Sequence, residues 1–409
     1  MKKHFCLGDF RGEQLAYNYF VAVFSFLFKG EKLAFSSSCP RKKEAILRPC
    51  YHAIGCTVIG HFIYLLNFFF FCAKMIAYLY SSPRKETNMS LKVTVIGCGR
   101  WGSFIANYLA SHGHDVTLYG PKGAPDIEQF IETRKSDLIT LCDELKLSTS
   151  LGESLKDKDV IIISIPSQRL RGLLGEMREH GFTSGRITLC MKGLEIETGK
   201  RLTEIVKDEM GDRVESAVWI GPGHVQEFTR GVPNCMVIDS ESEEMKKLLV
   251  GEFSSEVIRF YYGTDLIGNE IGAAAKNVVG IAAGMLDGMG LSSLKGALMS
   301  RGTREVARLI GALGGNQLSA YGLCHLGDYE ATVFSKFSHN RHFGEAFIKG
   351  EKFDKLAEGY YTVRALTTLA DKLGVEMPIS RVVEDVLYHG RNPKEALTSL
   401  FERALKSEF

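Results

Sequence analysis

The chain has 409 residues, 45% hydrophobic and 24% charged, with 42 glycines against 10 prolines, enough for two packed domains and a large core. The net charge of +2 hides an asymmetry: 12 Lys and Arg against 5 Asp and Glu before Met89, then 38 against 43. The body is mildly acidic with no basic stripe, which argues against a nucleic-acid partner, and 10 scattered cysteines without a CxxC pair fit a reducing compartment.

Residues 1–88 differ in character from the rest. They hold 12 of the 25 phenylalanines and the apolar run "AIGCTVIGHFIYLLNFFFFCAKMIAYLY" from Ala53 to Tyr80. Its length suits a membrane-spanning helix at about Ile54–Ala73, although His61, Asn67 and Lys74 weaken it. A cleaved signal peptide fits poorly, because the run lies too far from Met1. The favoured reading makes Met89 the start. Lys85-Glu86 is encodable as AAG-GAG, a ribosome-binding sequence, two codons before Met89, and the preceding segment is then disordered or a gene-model artefact.

From Met89 onward strands and helices alternate. The pattern predicts strands at Lys92–Ile96, Asp115–Tyr119, Val160–Ile165, Arg186–Met191, Val214–Ile220, Asn234–Asp239 and Val257–Tyr262, and a helix at Ser103–His112. Such alternation implies α/β architecture, a doubly wound, Rossmann-like parallel sheet extended at its edge by the last strands. After Tyr262 only helices are expected, so a dinucleotide-binding domain over 89–262 precedes an all-α substrate and catalytic domain over 263–409.

Gly97-Cys98-Gly99-Arg100-Trp101-Gly102 is a GxGxxG between a strand and a helix. Its first glycine permits the tight turn, its second a close approach to a pyrophosphate, and its third close helix–strand packing. NAD sites usually end the next strand with an acidic residue for the ribose. Here "LYGPKG" offers none, and Lys122 is either a solvated loop lysine or a partner for a 2′-phosphate. The cofactor is NAD or NADP.

"EIGAAAKNVVGIAAGM", Glu270 to Met285, sets one lysine among small residues. Gly272, Ala273, Val279, Gly280, Ala283 and Gly284 share the helical face of Lys276. The lysine either snorkels to water from a packing groove or faces a dry cleft, where desolvation lowers its pKa and lets it exchange protons.

"VTVIGCGRWG", "MKGLEIETG", "GPGHVQEFTRGVPN", "IGAAAKNVVGIAAGMLDGMG", "LGDYEAT", "SHNRHFG" and "EGYYTVRAL" occur in this order. Together they resemble NAD(P)-dependent glycerol-3-phosphate dehydrogenases of the bacterial type, from Met89 to near Phe409. The resemblance implies an oxidoreductase that interconverts dihydroxyacetone phosphate and sn-glycerol 3-phosphate. It implies Lys276 as proton donor, Asp328 as the catalytic aspartate beside it, and Lys192 as a lysine reaching both substrate and cofactor. Gly221, Gly223, Asn277, Thr332, Ser338, His339 and Asn340 are implied on the substrate, the last three around its phosphate. Gly97, Gly99, Arg100, Trp101, Gly102, Val225, His339 and Glu358 are implied on the cofactor. It further implies a small phosphorylated substrate, a cytoplasmic homodimer and supply of phospholipid backbones, with a membrane role only if residues 1–88 belong to the native protein.

The chain departs from the family pattern in three places. His339 stands where the family has Arg, with Arg341 two residues on as a possible replacement. Gly223 stands where a hydroxyl residue or asparagine is usual, and His224 replaces an aromatic residue. The two histidines have no third ligand nearby, so no metal is expected. One alternative is a related β-hydroxyacid-type dehydrogenase, but those place an asparagine one turn after the lysine, where this chain has Gly280. Another is a membrane-tethered nucleotide-binding protein with little turnover.

Overall fold

A computed structural model describes residues 89–405 and Ser407, which lie in one compact unit. The expectations about residues 1–88, including the start at Met89 and the apolar run at 54–73, lie outside the described residues. Among the described residues, no helix is long and apolar enough to cross a membrane.

The strands β1 (Lys92–Ile96), β2 (Asp115–Tyr119), β3 (Lys146–Ser148), β4 (Val160–Ile163), β5 (Gly185–Leu189), β6 (Val214–Ile220), β7 (Asn234–Ser240) and β8 (Ile258–Tyr262) form one sheet in the order β3-β2-β1-β4-β5-β6-β7-β8. The first six follow the doubly wound order, whose switch point lies between β1 and β4, where dinucleotides bind. Every pairing is parallel except β6 with β7. β4 reads as an unbroken apolar run, and β1 is buried from Val93 to Ile96 with Thr94 its single polar residue there, because helices cover both faces of the sheet centre. β3 was not expected: it is a short, largely polar edge strand without the alternation that marks a half-buried one.

The helices of this half are α1 (Arg100–Ser111), α2 (Pro125–Thr133), α3 (Leu151–Leu155), α4 (Leu170–Glu179), α5 (Leu202–Met210), α6 (Val225–Phe228) and α7 (Glu243–Phe253). α1 starts three residues before its expected beginning, because Gly99 already takes the N-cap position. From Leu266 the described chain is helical, with α8 (Leu266–Gly288), α9 (Lys295–Ala312), α10 (His339–Lys349), α11 (Glu358–Leu373), α12 (Pro378–Tyr388) and α13 (Pro393–Phe401). α8 is the axis of this half. Its 23 residues span about 35 Å, and Ile271, Ala275, Val278, Val279, Ile281 and Ala283 are all at most 2% exposed.

The small residues of α8 let other backbones come close. A Cβ at Gly284 would lie 1.8 Å from the Arg341 carbonyl oxygen, and one at Gly344 would lie 2.1 Å from that of Ile281. α8 and α10 therefore touch backbone to backbone, as paired glycines allow. The interface fixes the start of α10 beside the middle of α8, and so brings Asn340 to Asn277.

Candidate active site

The glycine turn is shaped as its sequence requires. Gly97 has φ +114°, and a Cβ there would meet the Ser164 carbonyl oxygen at 2.2 Å. A Cβ at Gly102 would meet the Gly97 oxygen at 2.0 Å, whereas one at Gly99 would meet no described atom within 4 Å. The outer two glycines are thus forced by packing, and the middle one leaves the N terminus of α1 open to an approaching phosphate. No side chain caps that terminus. These features fit a dinucleotide. Trp101 lies 5.4 Å from Phe104 and 6.0 Å from Phe228, ring centre to ring centre, and closes the apolar side of the turn.

Lys276 does not snorkel. It is 7% exposed, and its Nζ lies 2.8 Å from Asp328 Oδ2 while donating to Thr332 Oγ1 at 2.9 Å. Burial pulls its ammonium down to about 8, with Asp328 opposing the fall and Lys192 adding to it. Lys192 Nζ donates to the same Asp328 Oδ2 at 2.7 Å and to the Gly221 carbonyl at 2.6 Å. Two ammonium groups therefore share one carboxylate oxygen, and the trio carries one net positive charge in a largely dry space. Asp328 Oδ1, also buried, has no hydrogen-bond partner among the described residues.

The residues around this trio form its frame. Thr332 Oγ1 donates to the Asp328 carbonyl at 2.7 Å, which orients its lone pair toward Lys276. His325 Nδ1 bonds the Gly272 carbonyl at 2.8 Å, and its Nε2 lies 2.7 Å from Tyr329 Oη. Burial holds this histidine down at about 4, so it stays a neutral brace of the segment carrying Asp328. Asn277 Nδ2 donates to the Lys192 carbonyl at 2.7 Å, and its Oδ1 accepts from Asn340 Nδ2 at 3.0 Å. Asn340 Oδ1 in turn accepts from the Gly359 N–H at 2.9 Å. Both asparagines thus use their oxygens on the protein and keep only N–H groups to offer. Ser338 is similar: its Oγ caps α10 by accepting from Arg341 N at 3.3 Å.

Glu358 opens α11, and its carboxylate accepts both the N–H (2.9 Å) and the Oγ–H (2.5 Å) of Ser167. Burial raises its pKa, and the two Ser167 bonds partly offset the rise. Ser167 follows Pro166 just past β4, at the carboxyl end of the sheet, and was not expected in the site. That position beside the switch point was the signal available for it. The side chain of Val225 is 4% exposed within the core beneath the sheet, so only its backbone is left to face a cofactor. Lys122 is exposed in the turn after β2.

The departures from the family pattern have physical explanations. Gly223 has φ +146°, and a Cβ there would lie 2.3 Å from the Phe228 ring. That ring stacks on Phe104 at 5.3 Å, so the aromatic packing under the glycine turn excludes a side chain at 223. His224 packs against Phe337 at 5.5 Å between ring centres, and its buried Nε2 has no hydrogen-bond partner among the described residues. Burial, then the charge of Lys276, keeps it neutral. No group of three metal-ligating side chains occurs among the described residues. Arg341 does not stand in for the missing arginine at 339. Its Nη1 binds Asp287 at 2.6 Å and Glu345 at 3.2 Å, and its Nε binds the Ser335 carbonyl. The guanidinium that meets His339 belongs to Arg100, with Nη1 2.7 Å from the imidazole Nε2.

Comparison with known proteins agrees with this geometry. Residues 92–246 match the family described as NAD-dependent glycerol-3-phosphate dehydrogenase N-terminus, and residues 265–398 match its C-terminus. Glycerol-3-phosphate dehydrogenase [NAD(P)+] of Chlorobium phaeobacteroides is 33% identical over 331 residues, covering 78% of this chain and 99% of the relative. The protein of that name from Bacillus mycoides is 35% identical over 78% of this chain and 97% of its own length. A crystal structure of glycerol-3-phosphate dehydrogenase from Coxiella burnetii superposes with a TM-score of 0.72 at 29% identity, covering 77% of this chain and 99% of that one.

Proposed function

The chain belongs to the NAD-dependent glycerol-3-phosphate dehydrogenase family, and from that premise we propose that it interconverts dihydroxyacetone phosphate and sn-glycerol 3-phosphate with NAD or NADP. The observation that carries this reading is Lys276. It is a buried ammonium held at about 8 and locked between Asp328 and Thr332, so it can give or take a proton near neutral pH.

The nicotinamide supplies the hydride chemistry when bound. The chain's own part is to place a proton and a positive charge beside the substrate carbonyl. As negative charge develops on that oxygen, the Lys276 ammonium stabilises it and then transfers its proton, and runs the same step backward in the oxidation. Asp328 holds Lys276 and Lys192 together through one oxygen, which fixes the direction of both amines. Water is kept from the lysine by the walls that leave Asp328 1% and Thr332 2% exposed. Lys192, Asn277 and Asn340 form a hydrogen-bonded line from the trio to the start of α10, where the phosphate end of the substrate belongs. Glu358 and Ser167 border the cofactor side. In this reading the enzyme works in the cytoplasm as a homodimer and supplies the glycerol backbone of phospholipids.

The test is oxidation of NADH and NADPH by the purified chain with dihydroxyacetone phosphate, beside dihydroxyacetone and a series of 2-keto acids. Turnover with the phosphorylated ketone, lost in Lys276→Ala while cofactor still binds, is expected. A preference for a keto acid would refute the substrate assignment, and a wild-type rate in Lys276→Ala would refute the mechanism.

A further inference from the structure

Arg100 is the first residue of α1, His339 the first of α10, and Gln226 the second of α6. Their side chains meet although they are far apart in sequence. Arg100 donates from Nη1 to His339 Nε2 at 2.7 Å and from Nη2 to Gln226 Oε1 at 3.3 Å. A guanidinium has five donors and no acceptor, so the imidazole nitrogen facing it must be the acceptor. With Nε2 accepting, the single ring proton sits on Nδ1. His339 is therefore neutral here, and burial followed by the charge of Arg100 lowers its pKa accordingly. It contributes no positive charge of its own and instead orients one.

The guanidinium it orients has no carboxylate partner among the described residues. His339 and Gln226, which it does meet, are neutral, and burial lowers its pKa. The other cations of the cleft are committed: Lys192 and Lys276 to Asp328, Arg341 to Asp287 and Glu345. Lys355 also acts on His339 but is itself exposed. A half-buried cation without a counter-ion, beside two uncapped or singly capped helix N termini, is costly to keep unless an anion completes it.

We infer that Arg100, positioned by His339 and Gln226, is the residue that recognises the phosphate group of the substrate. The inference rests on the function proposed above. The substrate phosphate is favoured over the cofactor pyrophosphate because the side chain reaches away from the Gly99 backbone, to α10 and the Ser338–Asn340 segment. Its free N–H groups then present the forked geometry that binds phosphate. Arg100 would thereby select phosphorylated over unphosphorylated ketones.

The experiment compares wild type, Arg100→Ala, Arg100→Lys and Arg100→Ala/His339→Arg in steady-state reduction at saturating cofactor. Cofactor affinity is measured by NADH fluorescence and folding by thermal unfolding. Arg100→Ala is expected to raise KM for dihydroxyacetone phosphate tenfold or more, with little change in kcat and NADH affinity within twofold of wild type. Arg100→Lys should fall between, and the double variant should recover most of the lost affinity, because an arginine at 339 restores a cation to the same corner. Weakened NADH binding with an unchanged KM would assign Arg100 to the pyrophosphate and overturn the inference, as would no change in either. If wild type is inert with dihydroxyacetone phosphate, the proposed function fails on its own account. Binding of inorganic phosphate to the NAD-saturated enzyme then decides the role of Arg100, and equal affinity in wild type and Arg100→Lys or Arg100→Ala would overturn it. Should Arg100→Ala unfold, the conservative lysine variant carries the same comparison.

Discussion

Replacing Lys276 by methionine removes the ammonium while keeping most of the side-chain volume. The structure predicts an inactive enzyme that is more stable than the wild type. Burial lowers the Lys276 pKa from 10.5 to about 8, so below pH 8 the folded state carries a charge it disfavours by about 3 kcal/mol, at ~1.4 kcal/mol per pKa unit. Methionine removes that cost but also the hydrogen bond to Thr332, about 1 kcal/mol. Asp328 keeps Lys192 at 2.7 Å and is not left as an unpaired charge. The net expectation is a gain of about 2 kcal/mol at pH 7. The pH dependence has a definite sign. Because the folded pKa lies below the unfolded one, wild type regains stability as pH rises from about 8 toward 10.5. The gap between variant and wild type should therefore narrow by about 1 kcal/mol between pH 7 and pH 9. Urea unfolding at the two pH values, alongside turnover, measures both effects. A variant less stable than wild type at pH 7, or a gap that does not narrow, would refute the picture of a desolvated ammonium.

Carbonyl reduction should slow as pH rises through about 8 while the reverse oxidation speeds up, because only protonated Lys276 can donate; pH profiles of kcat in both directions check this, and parallel profiles would contradict it. Asp328→Asn should cut kcat by a hundredfold or more and move the reductive limb to lower pH, since the carboxylate is the main influence holding the lysine pKa up. Gly280→Ala should slow turnover and cost about 1–3 kcal/mol of stability, because the new Cβ would lie 2.7 Å from Thr332 Cγ2; circular-dichroism melts and initial rates report the two effects. Gly284→Ala should be worse, since its obstacle is the Arg341 backbone oxygen rather than a side chain, and soluble, fully active protein would argue against the close helix contact.

Most of the sheet could be read from the sequence because parallel strands buried on both faces are continuous or nearly continuous apolar and β-branched runs, as in β4 and in Val93–Ile96 of β1. β3 escaped because its Lys-Leu-Ser sequence sits at an edge with no buried face to mark it. Nothing in the composition of β7 shows that it runs against β6, since strand direction follows from the path of the intervening loop. Lys276 stood out as one charge in a small-residue helix, but its pairing with Asp328 needed the resemblance, as the two are 52 positions apart. The expectation for Arg341 failed for a related reason. Proximity in sequence to His339 suggested a substitute, while on a helix the two side chains leave in different directions, and Asp287 captures the guanidinium. The partner of His339 came instead from the opposite end of the domain pair, where no spacing rule reaches.

The glycine contact between α8 and α10 has a mechanical consequence. Two helices whose backbones touch at Gly284 and Gly344 cannot slip or rotate past one another without collision, so the proton donor and the imidazole at the start of α10 travel as a single rigid piece. Arg100 is anchored to the other piece, on the nucleotide side. Any widening of the crevice must therefore stretch the Arg100–His339 bond together with the Lys192–Asp328 and Asn277–Lys192 bonds, so the entrance for the phosphate and the charge setting of the lysine come apart in one motion.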